Sequence, residues 1–232
     1  MKEIILSNLK EVHNRIEVAC KLSGRNPLDV QLLLATKTIP TDKIRIAIEA
    51  GETIIGENKM QELRDKDPGL KELHIERHFI GHLQTNKVKD VLKYASCIQS
   101  LDRLSLAQEL DRQLQKEGRN LDVFIQVNTS LEESKFGLKP DEAISFIGDI
   151  KQYETLKIKG LMTIGLLDVE KEKMQPSLRL LREIRDEIYR ARIEGINELK
   201  LSMGMSQDLE LAIAEGSNLV RIGTSIFGNR FL

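Results

Sequence analysis

Residues 30–40 read VQLLLATKTIP, and the apolar residues run almost unbroken from Val30 to Ala35. A strand of that kind is covered on both faces, which is the habit of parallel sheets; antiparallel strands with one wet face alternate instead. Seven further strands are read along the chain, several of them equally apolar. They are 53–56 (TIIG), 78–80, 96–100 (SCIQS), 123–128 (VFIQVN), 158–164 (IKGLMTI), 199–202 (LKLS) and 219–222 (LVRI). Amphipathic stretches read as helices separate them, over 42–50, 59–65, 84–94, 103–117, 140–153, 170–192 and 207–215. A further helix over residues 2–22 precedes the first strand. Gly51 and Gly216 each follow a helical run, where a left-handed C-cap belongs.

Eight strands alternating with helices leave two architectures, an open doubly wound sheet or a closed (β/α)8 barrel. No Gly-x-Gly-x-x-Gly follows the first strand, which weakens the dinucleotide-binding sheet. The length of 232 residues lies in the barrel's range, and no linker or low-complexity tract interrupts it. The expectation is therefore an α/β fold, a single (β/α)8 TIM barrel over residues 1–232 with an extra N-terminal helix. Lys and Arg number 35 against 36 Asp and Glu, a balance that argues against a nucleic-acid or anionic-membrane binder. No apolar run approaches the ~20 residues of a membrane span, and the charged N-terminus does not suit a secretory signal. Two cysteines, Cys20 and Cys97, lack metal-ligand spacing and fit free thiols in a reducing compartment. A cytoplasmic protein is expected.

A barrel places chemistry at the C-terminal ends of its strands, with phosphate near the last two. Lys37 stands just past the first apolar strand, where partial desolvation would lower its pKa and free some neutral amine to attack carbonyls. Taken alone it reads better as a lysine that snorkels to solvent at the strand end. The last strand continues as LVRIGTSIFG, so that Arg221 and Gly223 share a face, and Gly223 and Thr224 open a short segment over 225–229. Backbone N–H groups there suit a phosphate, and glycine permits close approach. Strand seven ends LSMGMS, which brings Ser202, Gly204 and Ser206 to the neighbouring rim; Ser206 also fits a helix cap. Closure makes strand eight the neighbour of strand one, so Lys37 meets the 221–224 segment. A carbonyl-seeking amine beside a phosphate cradle suits pyridoxal 5′-phosphate (PLP). Arg221 could reach the ring nitrogen and, staying protonated, would keep that nitrogen unprotonated. An inward arginine paired to a carboxylate is the other reading.

With these residues in view the chain resembles the pyridoxal phosphate homeostasis protein family, single-domain relatives of the alanine racemase N-terminal barrel. The resemblance lies in ATKTIP (35–40), GENKMQE (56–62), HFIGHLQTNK (78–87), QVNTSLEESKFGL (126–138), GLMTIG (160–165) and LSMGMSQDLELAIAEGSNLVRIGTSIFGNR (201–230). It implies a PLP aldimine on Lys37, with Ser206, Gly223 and Thr224 on the phosphate and Arg221 toward the ring nitrogen. It also implies a role for Asn58, which otherwise reads as a helix cap, and for Lys135 near PLP handling, which otherwise reads as a solvated loop lysine. The family often has Ser-Lys-Thr-Lys-Pro around its cofactor lysine; Thr36 and Ile39 depart from that here, as Lys59 and His82 do from other family blocks. The loss of a charge at Ile39 bears on how readily PLP enters or leaves.

Other candidates carry less. His78 and His82 straddle a strand end without an adjoining acidic ligand, so no metal site is expected. Met203 and Met205 read as rim packing, and Glu57 and Glu62 as helix-start and helix-surface carboxylates. The resemblance implies a carrier in vitamin B6 homeostasis that supplies PLP to apo-enzymes and is not itself an enzyme; the absence of a dimerising domain points to a monomer. The alternative is a PLP-dependent amino-acid racemase. That reaction needs a proton donor on each cofactor face, yet Tyr94, Tyr153 and Tyr189 fall in helical patterns, and Ile164 stands where the racemases tend to carry a histidine. An aldolase-type Schiff-base lysine acting on phosphorylated sugars is a third reading, disfavoured by the sequence blocks.

Overall fold

The computed structural model describes residues 1–166 and 170–228. Eight parallel strands close on themselves in chain order. They are β1 (Gln31–Ala35), β2 (Ile54–Glu57), β3 (Glu76–Phe79), β4 (Cys97–Leu101), β5 (Leu121–Gln126), β6 (Leu156–Met162), β7 (Lys200–Ser202) and β8 (Leu219–Ile222). Closure is made by β8 on β1, with Leu33 opposite Arg221 and Leu34 opposite Ile222. The apolar run that opens β1 is thereby divided between two cores. Leu33 joins Ile54, Cys97, Phe124, Met162 and Leu219 inside the barrel. Leu32 and Leu34 turn outward with Ile55, Val220 and Ile222 to meet the helices, as a period of two requires.

The helices are α1 (Lys2–Leu22), α2 (Thr41–Glu49), α3 (Met60–Leu70), α4 (Val88–Leu92), α5 (Leu104–Glu117), α6 (Ala143–Ile150), α7 (Lys171–Arg190), α8 (Leu209–Ala214) and α9 (Thr224–Phe227). Along α1 the buried residues Ile5, Leu9, Val12, Ile16 and Ala19 recur at steps of three and four, one stripe of a helix. They pack with Ile44, Leu209, Ile213 and Ile226, so α1 covers the seam where the barrel closes. Burial of each large aliphatic there stabilises by about 1.5–3 kcal/mol. Polar ties fix the same seam. Asn8 donates to the Ile226 carbonyl at 2.9 Å, and Arg15 donates to the Ser206 carbonyl at 3.0 Å and to Glu210 at 2.7 Å. An aspartate at Val12 would put an unpaired charge into this stripe and detach the helix.

Every expected strand is present, with shifted ends. β3 begins earlier because the Glu76 N–H bonds the Thr53 carbonyl at 2.7 Å. β5 stops at Gln126, since Asn128 turns to bond Leu138 in its own loop. The helices expected over 84–94 and 140–153 each open as a 3-10 turn (Thr85–Lys87 and Pro140–Glu142) before α4 and α6 begin. α3 runs past Asp65 to Leu70 with Pro68 inside it. Gly51 and Gly216 hold φ of 112° and 97°, the left-handed region expected of them. Asn229 and Arg230, which closed the expected C-terminal segment and block, lie outside the described residues. Cys20 and Cys97 are buried free thiols. Among the described residues no helix is long and apolar enough to cross a membrane.

Candidate functional site

A cavity of about 230 Å³ opens at the C-terminal mouth of the barrel, over the β8–β1 seam. Ala35 and Lys37 come to it from the end of β1, Met205, Ser206, Gln207 and Asp208 from the loop after β7, Arg221 and Gly223 from β8, Thr224 from the start of α9, and Met174 from α7. The Leu33–Arg221 register leads Ala35 and Gly223 together two residues further on. A Cβ at Gly223 would lie 2.7 Å from the Ala35 carbonyl oxygen, so only glycine lets the two chains approach this closely. The Ser206 hydroxyl accepts the Ser225 N–H at 3.4 Å and joins the two loops that form one wall. A larger cavity, about 460 Å³, opens at the opposite end of the barrel among Glu76, His78, Asp122, Lys159 and Lys200. The lysine and the glycine cradle are at the C-terminal mouth, where barrels carry their chemistry.

Arg221 is the cation of the cavity floor. It is buried, with Nη1 donating to Ser202 Oγ at 2.9 Å and Nη2 to the Thr163 carbonyl at 2.7 Å. Burial pushes its pKa down to about 10, with Asp208 acting the other way, so it stays protonated at neutral pH. Burial likewise pushes the Asp208 carboxyl up, against the Met205 N–H bond of 2.6 Å and the field of Arg221. Asp208 Oδ2 is buried without a hydrogen-bond partner.

Behind Lys37, on the outer side of β1 and β2, lies a group that the sequence did not disclose. Lys66 of α3 donates to the Thr36 carbonyl at 2.8 Å, to Glu57 at 2.6 Å and to Glu62 at 2.8 Å. Glu57 also accepts from the Thr36 hydroxyl at 2.6 Å, and Glu62 from the Thr38 N–H at 2.6 Å. Each residue flanking Lys37 is therefore clamped by one of these two carboxylates, Thr36 by Glu57 and Thr38 by Glu62. Thr38 is held at φ 65°, a left-handed conformation that a β-branched residue adopts only when its surroundings enforce it. Burial pushes the Glu57 carboxyl above its ordinary value, opposed by Lys66 and Thr36. Against the same pull of burial, the bonds from Lys66 and the Thr38 N–H hold Glu62 below. The readings of Glu57 as a helix-start and Glu62 as a helix-surface carboxylate are corrected here. Glu57 ends β2 with its side chain buried, and Glu62 faces the Lys37 loop. The one signal in the sequence was the i,i+4 spacing of Glu62 and Lys66.

Of the six residues singled out from the sequence, Lys37, Ser206, Arg221, Gly223 and Thr224 line this one cavity. Asn58 does not line it. It stands one residue past β2, with His82, Gln84 and Lys87, around a neighbouring cavity, and α3 is capped by Lys59 instead. Lys135 donates to the Gly165 carbonyl at 2.8 Å and pairs with Glu132, which ties it to the loop after β6. Met203 is fully buried, whereas Met205 reaches the cavity. His78 bonds Glu76, and His82 stacks on Phe136 with Asp102 3.8 Å away, so each histidine has a carboxylate of its own. Among the described residues no group of three His, Cys, Asp or Glu side chains could hold a metal ion.

The family model of the alanine racemase N-terminal domain matches residues 8–230. A pyridoxal phosphate homeostasis protein of Aquifex aeolicus is 42% identical over 222 residues, which cover 96% of each chain. The chain belongs to the pyridoxal phosphate homeostasis protein family. Solved structures share its fold. A protein of Bifidobacterium adolescentis superposes with a TM-score of 0.93 at 38% identity, covering 97% of this chain and 95% of the other. PipY of Synechococcus elongatus PCC7942, solved with PLP bound, superposes with a TM-score of 0.79 at 31% identity, covering 92% of this chain and 100% of its own. The expected barrel of the alanine racemase N-terminal type is thus the fold of this homeostasis-family chain.

Proposed function

We propose that residues 1–232 act as one PLP-binding domain that holds the cofactor covalently through Lys37 and supplies it to apo-enzymes without turnover of its own. The observation that carries this is the placement of Lys37 in one cavity with Arg221, Gly223 and Thr224 from the far end of the chain. The homeostasis name of the Aquifex aeolicus relative and the PLP bound to PipY support the same reading. The residues present fit the group: the Gly223 cradle leaves the space that a Cβ would fill, and Ser206 and Thr224 add hydroxyl donors to it. PLP supplies an aldehyde that condenses with a primary amine and a pyridine ring that withdraws electrons.

The chain's own residues then divide the work. Ser206, Gly223 and Thr224 hold the phosphate, and Asn58 contributes from the adjoining rim past β2. Arg221 has only donors to offer, so it holds the ring nitrogen as an acceptor and keeps a proton off it. The Thr36 and Thr38 clamps fix the backbone on either side of Lys37. Among the described residues the titratable groups lining the cavity are Lys37, Asp208 and Arg221, and Ile164 packs in the barrel interior without a proton to give. This supports a carrier over a racemase. Buried free thiols suit a reducing cytoplasm, and we take the protein to act there as a monomer.

The test is direct. Protein loaded with PLP should show a visible band that borohydride bleaches, with the pyridoxyl mass mapping to Lys37, and Lys37→Ala should lose both. Retention of the band in that variant overturns the assignment. Exchange of amino-acid α-protons in deuterated water would overturn the absence of turnover. Failure of the loaded protein to reactivate a PLP-free enzyme would remove the supply role, and sedimentation checks the monomer.

A further inference from the structure

A line of polar side chains threads the apolar interior of the barrel, from the base to the floor of the mouth cavity. Glu76 at the base is 63% exposed and accepts from His78 Nε2 at 3.1 Å. The other ring nitrogen of His78 lies 2.6 Å from Gln99 Nε2. Gln99 Oε1 accepts the Ser202 hydroxyl at 2.6 Å, a contact that crosses the barrel from β4 to β7. Ser202 Oγ accepts in turn from Arg221 Nη1 at 2.9 Å. His78, Gln99, Ser202 and Arg221 are all buried.

The chemistry of the groups gives the line a single direction. A guanidinium only donates, so Ser202 Oγ accepts from Arg221 and must send its one proton to Gln99 Oε1. That fixes the amide, whose NH2 then points at His78. His78 Nδ1 must accept, the ring proton sits on Nε2, and Glu76 receives it. The bond to His78 holds the Glu76 carboxyl below its ordinary value, which keeps it an acceptor at the base of the line. Every member is satisfied only while the others keep their orientation, so the set behaves as one unit. An apolar interior of the kind the neighbouring Leu33, Phe124 and Met162 provide would carry no such desolvation cost.

We propose that Glu76, His78, Gln99 and Ser202 are positioning residues that hold the Arg221 guanidinium in the orientation it presents to the mouth of the barrel. The inference rests on the reading that Arg221 faces the ring nitrogen of PLP, but its first test needs no cofactor. In nitrogen-labelled PLP-free protein, His78 should show the Nε2–H tautomer and the Arg221 guanidinium protons should exchange slowly. Gln99→Leu should speed that exchange about tenfold or more, the consequence of one lost buried hydrogen bond. In the loaded protein it should shift the visible band and weaken PLP binding about tenfold. Gln99→Glu keeps an acceptor for Ser202, so it should leave Arg221 exchange near the wild-type rate, a rescue that a space-filling role would not give. Should Gln99→Leu not fold, Ser202→Ala cuts the line at the next link and gives the same readouts. A folded Gln99→Leu or Ser202→Ala protein with unchanged Arg221 exchange and an unchanged band overturns the proposal. Arg221→Lys separates the two readings: an unmoved band there rejects the contact with the ring, while exchange in the PLP-free protein still decides on the positioning line.

Discussion

Replacing Lys66 by methionine removes the cation that joins the two carboxylates behind Lys37. Its ammonium makes three bonds of 2.6–2.8 Å, and its side chain is only 12% exposed against 1% for Glu57. Breaking a buried pair by removing one partner costs about 3–5 kcal/mol when the other charge is stranded. Glu57 has an escape, because burial already pushes its carboxyl up and the lost lysine was what opposed this. In Lys66→Met the folded state therefore holds a proton on Glu57 to higher pH than the unfolded chain, which releases it above about pH 4.3. Folding then binds a proton, and stability falls as pH rises by about 1.4 kcal/mol per unit until the raised folded value is reached. Protonation limits the share of the loss that falls on Glu57 to at most about 4 kcal/mol at pH 7 and about 2 kcal/mol at pH 5.5. The wild-type protein carries the same sign more weakly, since Lys66 stands against burial. Urea denaturation at both pH values measures the difference, and adding Glu57→Gln to Lys66→Met should restore most of the loss at pH 7. Equal losses at the two pH values, or no recovery in the double variant, would show that Glu57 takes up no proton when Lys66 is removed.

Three further outcomes follow from the same physics. Gly223→Ala sets a Cβ 2.7 Å from the Ala35 carbonyl, so it should cost about 1–3 kcal/mol in a urea titration and lower PLP affinity by equilibrium dialysis; an unaffected affinity would mean the cradle is not used. Thr38→Gly relieves a residue at φ 65° and should stabilise by up to about 1 kcal/mol while loosening the hold on PLP, whereas a net loss of stability would show Thr38 to be unstrained. His13 bonds Glu52 at 2.6 Å, and that bond, against burial, raises the histidine pKa. The stabilisation is complete below about pH 6.5 and fades as pH rises through the raised folded value. With His13 49% exposed it should amount to less than about 1 kcal/mol, and His13→Gln should flatten the pH dependence of the urea midpoint above pH 6.5.

The strands were legible because burial on both faces leaves an unbroken apolar run, and Val30–Ala35 shows it without any partner in view. Lys37 and the Gly223–Thr224 pair were legible for a related reason: they interrupt or end such runs at the places where a barrel opens. Asn58 could not be placed that way. A residue one step past a strand end can face either of two adjoining cavities, and it lines the one with His82 and Lys87.

Local patterning therefore set the order of elements, the parallel strands and the lysine and glycines at their ends, because period and apolarity are properties of neighbouring residues, while chain length and the missing dinucleotide motif favoured a closed barrel over an open sheet. The three-dimensional arrangement alone settled that Lys66, spaced to meet Glu62 on its own helix, also reaches Glu57 on β2, and that Gln99 meets Ser202 from 103 positions away. Such contacts depend on how far the strands are staggered when the sheet closes and on which side chains then share a level inside it. That geometry is fixed by all eight strands together and has no trace in any one stretch of the chain.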